Sequence, residues 1–270
     1  MRINFKDAKR MTDFESVRSY IQTMDIAQQK AVHVEDVEDE KHNFSAILNM
    51  DKVVSIVTDQ YQLVQNKDAF NYATDVMELA FKDEPISAQI IETPRRAFMT
   101  IVLEDRTIKP ADGHDIKVGY RFTNGYDKFT PFGGSLFMLR QVCSNGAVRL
   151  IANDSITVKH VGEKDVISKL SVEFEQLLKR AMPEALTLIN NAIKTKVEKY
   201  VDFLVDVGYS ARMIEEVESR LIEWEPNGEY SRWQIYDAIT RFWSEKYDAR
   251  KIDPMVYYYR LNEATKILNK

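Results

Sequence analysis

Between residues 117 and 160, Arg121, Lys128, Arg140, Arg149 and Lys159 are interleaved with Tyr120, Phe122, Tyr126, Phe129, Phe132 and Phe137. Cations at such intervals can follow a phosphate backbone while the rings stack on unpaired bases, each stacked base worth about 1–3 kcal/mol. The stretch carries six Lys/Arg against two Asp/Glu inside a chain of net charge −5, and it holds five of the nine glycines and the only cysteine. Read as a strand, "KVGYRFTN" turns Lys117, Gly119, Arg121 and Thr123 to one face and Val118, Tyr120 and Phe122 to the other. A sheet that packs on helices and meets a ligand needs one apolar and one polar face of this kind. On this reading Arg121, Lys128, Arg140 and Arg149 contact phosphates, with Lys159 on the same surface. Tyr120 or Phe122, Tyr126 and Phe129 then offer stacking surface. Arg95 and Arg96, after Pro94, either add to that surface or flank a turn. The competing reading places the aromatics in the core and the arginines on a solvated face, since core aromatics are common.

Other chemistries have less support. Cys143 and His160 are a conceivable thiol–imidazole pair, but a lone cysteine in an apolar run is more often a small core residue. His33, His42, His114 and His160 share no spacing that would set two ligands on one helix face. The acidic "EDVEDE" (35–40) reads as a solvated charge run. No glycine–lysine phosphate loop occurs, and Gly133-Gly134-Ser135 is an unspecific anion signal. The sequence therefore predicts no metal, no cofactor and no enzyme.

The elements that position these residues follow from periodicity. With 270 residues, 44% hydrophobic and 29% charged, the chain reads as globular, and no window is long and apolar enough to span a membrane. The charged N-terminus lacks the apolar run of a signal peptide, and one cysteine fits a reducing compartment, so a cytoplasmic protein is expected. Residues 1–42 give a short helix on Phe14, Val17, Tyr20 and Ile21, then an acidic loop. Two β-rich runs follow, joined at Asn49-Met50-Asp51-Lys52. A helix over 66–82 with Asn66 as its cap comes next. Strands are expected at 86–93, 96–104 and 116–124, and "GSLFMLRQVC" (134–143) fits a helix capped by Ser135 or a buried strand, with the helix preferred. A β-rich segment at 147–161 closes a core assigned to 43–162.

From 163 to 270 the pattern is helical, with stripes over 163–182, 183–208 and 210–224 and a capping box of Ser231 with Gln234. The class is α+β: an antiparallel sheet with packed helices in the order ββαβββαβ, then a helical C-terminal half packed on that core.

The motifs "YQLVQNKDAF" (61–70), "VGYRFTNGYD" (118–127), "RQVCSNGAVRL" (140–150), "VKHVG" (158–162) and "WQIYDAITRF" (233–242) give the chain a further character. It resembles the phage- and plasmid-like proteins grouped as domain-of-unknown-function family 932 over roughly residues 44–245. Where that family reads Asn-Ser-x-Asp-Gly-Ser, this chain has Asn124-Gly125-Tyr126-Asp127-Lys128-Phe129, matching at Asn124 and Asp127. Where many members read Arg-His-Thr, it has Lys159-His160-Val161. The resemblance implies a virus or other mobile element as the source and no particular activity. The α+β order is also similar to the core of single-strand annealing recombinases, which implies strand annealing and self-association.

Together these point to a non-enzymatic protein that binds single-stranded DNA and promotes annealing in replication or recombination. The alternative is an interaction protein that meets a host or viral protein through the acidic segments 35–40 and 215–229.

Overall fold

A computed structural model of the chain describes residues 10–32, 43–58, 60–109, 115–140, 147–148, 155–158, 183–222, 229–248, 252 and 254–270. The expected class holds: the fold is α+β, with antiparallel sheets in the N-terminal half and a helical C-terminal region. Contacts group the chain into two units, one drawn from Met1–Asp105, Gly119–Ser135 and Ser155–Leu177, the other from Arg106–Val118, Leu136–Asp154 and Leu178–Lys270.

In the first unit, helix α1 (Phe14–Gln22) starts at Asp13, whose carboxylate accepts from the Ser16 N–H at 2.7 Å. Its buried stripe is Phe14, Val17 and Ile21. Strand β1 (Gln28–Val32), between the expected helix and the expected acidic loop, pairs with β2 (Phe44–Asn49), which pairs with β3 (Lys52–Thr58). The β2–β3 connection is the expected hairpin. Met50 and Asp51 both have positive φ, 50° and 59°, as a tight two-residue loop matched to strand twist requires. Helix α2 (Asn66–Phe81) turns Ala69, Phe70, Ala73, Met77 and Phe81 inward. Its cap is Gln65, not Asn66, which is the first helical residue and fully buried. Arg18 bridges α1 to α2 through Asp75 and Glu78.

A larger antiparallel sheet follows, with β4 (Ile86–Glu92), β5 (Arg96–Ile108), β6 (Ile116–Gly125), β7 (Phe132–Arg140) and β8 (Ala147–Val148) in that order and β9 (Ser155–Val158) also on β7. Residues 134–140 therefore form a strand, the second of the two readings the sequence left open, and not the preferred helix. The run Leu136-Phe137-Met138-Leu139 is apolar at every position and carries neither period, so its type is decided by partners far along the chain. Phe132 pairs with Val158, and Leu139 with Ala147. Met11 bridges Ala88 through two backbone hydrogen bonds, at 2.9 and 2.7 Å, beside β4.

The second unit's helices are α3 (helical over 183–194), α4 (Tyr200–Val207), α5 (Ala211–Ile222), α6 (Arg232–Asp248) and α7 (Pro254–Asn269). The single helix expected over 183–208 is interrupted, because β10 (Lys196–Val197) pairs with β11 (Tyr230–Ser231). Gly208 ends α4 in the left-handed conformation at φ 102°, as its type predicts. The capping box also forms: the Gln234 side chain accepts from Ser231 N–H at 2.8 Å, and Ser231 Oγ accepts from Gln234 N–H at 3.2 Å. Trp233, Ile235, Tyr236, Ile239 and Phe242 on α6 and Leu261, Ala264 and Ile267 on α7 supply its core. The helix expected at 163–182 lies outside the described residues. Among the described residues no helix is long and apolar enough to cross a membrane.

Candidate nucleic-acid interface

The alternation expected of β6 is present, but neither face is open. Val118, Tyr120 and Phe122 are buried at 0, 0 and 3% exposure, with Tyr120 stacked on Phe81 of α2 at 6.0 Å between centroids. On the other face Gly119 and Arg121 are buried, and Lys117 and Thr123 half-buried. The Arg121 guanidinium donates from Nε to Thr100 Oγ1 at 3.2 Å. A Cβ on Gly119 would run into the Ile101 carbonyl and stand 2.9 Å from Val102 Cα, so glycine here lets β5 and β6 approach. The open basic face and the stacking surface expected of Arg121, Tyr120 and Phe122 are thus replaced by packing, the outcome of a strand covered on both sides.

Tyr126 departs from expectation in the same way. Its ring sits in a cluster with Ala27, Ile47, Val54, Val57 and Tyr61. Its N–H donates to the Arg95 carbonyl at 2.8 Å, its carbonyl accepts from Ser55 Oγ at 2.6 Å, and its hydroxyl accepts from Asn66 N–H at 2.8 Å. Burial pushes its phenol far above the ordinary range. Tyr126 is an anchor and offers no stacking surface.

What Tyr126 anchors is a turn. Asp127 Oδ1 accepts from the N–H groups of Phe129 (3.1 Å) and Thr130 (2.9 Å), and Oδ2 takes the Arg96 guanidinium. Burial pushes the Asp127 carboxyl up, but Arg96 and these N–H donors outweigh it and hold it below the usual range. Lys128 has φ 66°, at the position where the resembled pattern has glycine. Phe129 is 79% exposed, with the Lys128 ammonium 5.9 Å from its ring centroid, within cation–π range.

Two more turns join this one. Asn49 Nδ2, at the β2–β3 hairpin, donates to the Pro94 carbonyl at 3.0 Å, and Arg95 holds Tyr126. The hairpin tip 49–52, the turn 93–96 and the turn 126–130 therefore form one connected platform. It carries four Lys/Arg against two Asp/Glu. Arg96 is ion-paired with Asp127, while Lys52, Arg95 and Lys128 are exposed. Of the residues expected to bind, Lys128 and Phe129 are brought together here and Arg95 joins them. Lys52 was not expected, although its place at a hairpin tip marks it as exposed.

Arg140 lies at the end of β7, and Arg149 and Lys159 lie outside the described residues. So do Cys143, all four histidines and the acidic run 35–40. In the acidic segment 215–229, Glu216 pairs with Lys246 at 2.9 Å and Glu218 accepts from the Tyr200 hydroxyl. Among the described residues no group of three or more His, Cys, Asp or Glu is placed to hold a metal. No family model, curated protein or solved structure matches the chain.

Proposed function

We propose that the chain binds single-stranded nucleic acid through this platform and acts without catalysis or cofactor. The observation that carries the reading is Phe129, an exposed ring with a lysine ammonium over it, on a turn tied to two others that present Lys52 and Arg95. One exposed ring is ordinary on a protein surface. Here it stands among cations on a chain of net charge −5, and that combination suits a base stacked on the ring with phosphates held beside it. Single strands are favoured over duplex because a lone protruding ring needs an unpaired base face. The resemblance to phage- and plasmid-like proteins supports a setting in the replication or recombination of a mobile element, with strand annealing as the activity to assay.

The test is fluorescence anisotropy of a labelled single strand of about 30 nucleotides, with duplex as comparison, over a range of salt. Three phosphate contacts give a slope of log K against log salt of about −2 for single strands. Arg95→Ala with Lys128→Ala should bring that slope to about −0.7. An unchanged slope in the double variant, or equal affinity for duplex, contradicts the proposal.

A further inference from the structure

Among the described side chains two aromatic rings are exposed, Phe129 on the platform of the first unit and Tyr259 on α7 of the second, the latter at 57%. Each has a cation within cation–π range. Lys128 lies over Phe129, and the Arg260 guanidinium carbon is 5.7 Å from the Tyr259 ring centroid. The signature that marks the platform therefore occurs a second time, on a different unit.

The sequence sets Val256, Tyr259 and Arg260 on one stripe of α7, at spacings of three and four, and all three are exposed. The other stripe, with Tyr257, Leu261 and Ala264, is buried. Helix α6 backs the exposed one: the Arg260 guanidinium is also 5.2 Å from the Trp243 ring. Trp243 is held edge-on to Phe242 at 4.9 Å, and Lys246 Nζ lies 4.2 Å from Phe242 and 5.9 Å from Trp243. A buried bond of 3.0 Å between Ser244 Oγ and the Tyr257 hydroxyl fixes α6 against α7 beside this site. Groups held in place beforehand lose little freedom when a ligand arrives.

The ion pairs around the site leave Arg260 over. Lys246 is paired with Glu216 at 2.9 Å, and Glu263, the next carboxylate along α7, is taken by Lys266 at 2.9 Å. Arg260 has no carboxylate partner among the described residues. A planar guanidinium without a carboxylate keeps its fork of donors for an incoming anion, and phosphate matches that fork. The ring beside it offers a face to an unpaired base.

We propose that the α6–α7 face around Tyr259 and Arg260 is a second contact for single-stranded nucleic acid, with one base stacked on Tyr259 and the adjoining phosphate held by Arg260. Each unit thus carries one contact. The choice of nucleic acid as ligand rests on the reading of the platform; the site itself stands on its own residues. A strand that occupies both contacts gains a phosphate, which adds about −0.7 to the salt slope expected of the platform alone.

The test uses the full chain and a poly-thymidine 30-mer in which iodouracil replaces some of the thymines, so that light joins a base to an aromatic ring stacked on it. Mass spectrometry of the cross-linked peptides should place the base at Tyr259 as well as at Phe129. In anisotropy with the unmodified poly-thymidine 30-mer, Tyr259→Ala should weaken affinity about fivefold or more. Tyr259→Phe, which keeps the ring, should not weaken it. Arg260→Ala should flatten the salt slope by about 0.7. Cross-linking at Phe129 alone, with affinity unmoved by Tyr259→Ala, overturns the second contact and leaves the platform standing. Cross-linking at Tyr259 alone overturns the platform reading and leaves the second contact. A strand that neither binds nor cross-links overturns both.

Discussion

Strand β6 and the turn that follows it have nearly the same composition and opposite fates. Tyr120, Arg121 and Phe122 are interior, at 0, 6 and 3% exposure, whereas Lys128 and Phe129 are exposed, with the Phe129 ring at 79%. Interleaved cations and rings therefore do not by themselves mark a ligand surface. What separates the two is the backbone. A central strand is covered by its neighbours whatever its side chains, and an arginine there finds a side-chain acceptor such as Thr100. A turn held by one buried carboxylate, Asp127, projects whatever follows it. The hinge between the two fates is Tyr126, which belongs to the core by its ring and to the turn by its backbone.

The largest expected effect removes that hinge. Tyr126→Ala deletes a fully buried ring and leaves Asn66 N–H without its acceptor, so unfolding in urea should show a loss of about 3–5 kcal/mol. A loss under about 1 kcal/mol would mean that the turn stands without its anchor, and the contrast with β6 would fall. A smaller effect of opposite sign sharpens the comparison. Lys128→Gly relieves a left-handed conformation at φ 66° and should stabilise the fold by about 1 kcal/mol. The same change should weaken oligonucleotide binding by removing a cation. Stability and affinity moving in opposite directions at one residue is the behaviour expected of strain retained for a ligand.

How much of this could be read beforehand depended on the range of the interaction. The hairpin at 49–52 and the Ser231–Gln234 capping box were legible because each is a contract between residues a few positions apart. The strand nature of 132–140 was not. It depends on pairing with 155–158 and 147–148, and an all-apolar run fits helix or strand alike. The break in 183–208 is of the same kind, since the helical stripe runs on through Lys196–Val197 and only the partner at Tyr230–Ser231 overrides it. At the candidate site the residue types were visible and their burial was not. Alternation separates the two faces of β6 but cannot tell whether the second face is covered. Asn66 and Asn124 gave no local signal, because their pairing joins α2 to β6 across 58 positions of sequence.

The central claim is that Phe129, alone among the rings first assigned to stacking, faces the ligand. The direct measurement is the effect of Phe129→Ala on affinity for a single-stranded 30-mer, set beside its effect on unfolding. The account predicts affinity weakened by about 1–3 kcal/mol, roughly 5- to 150-fold, with stability unchanged within about 0.5 kcal/mol. Affinity unchanged by the loss of this ring would contradict it.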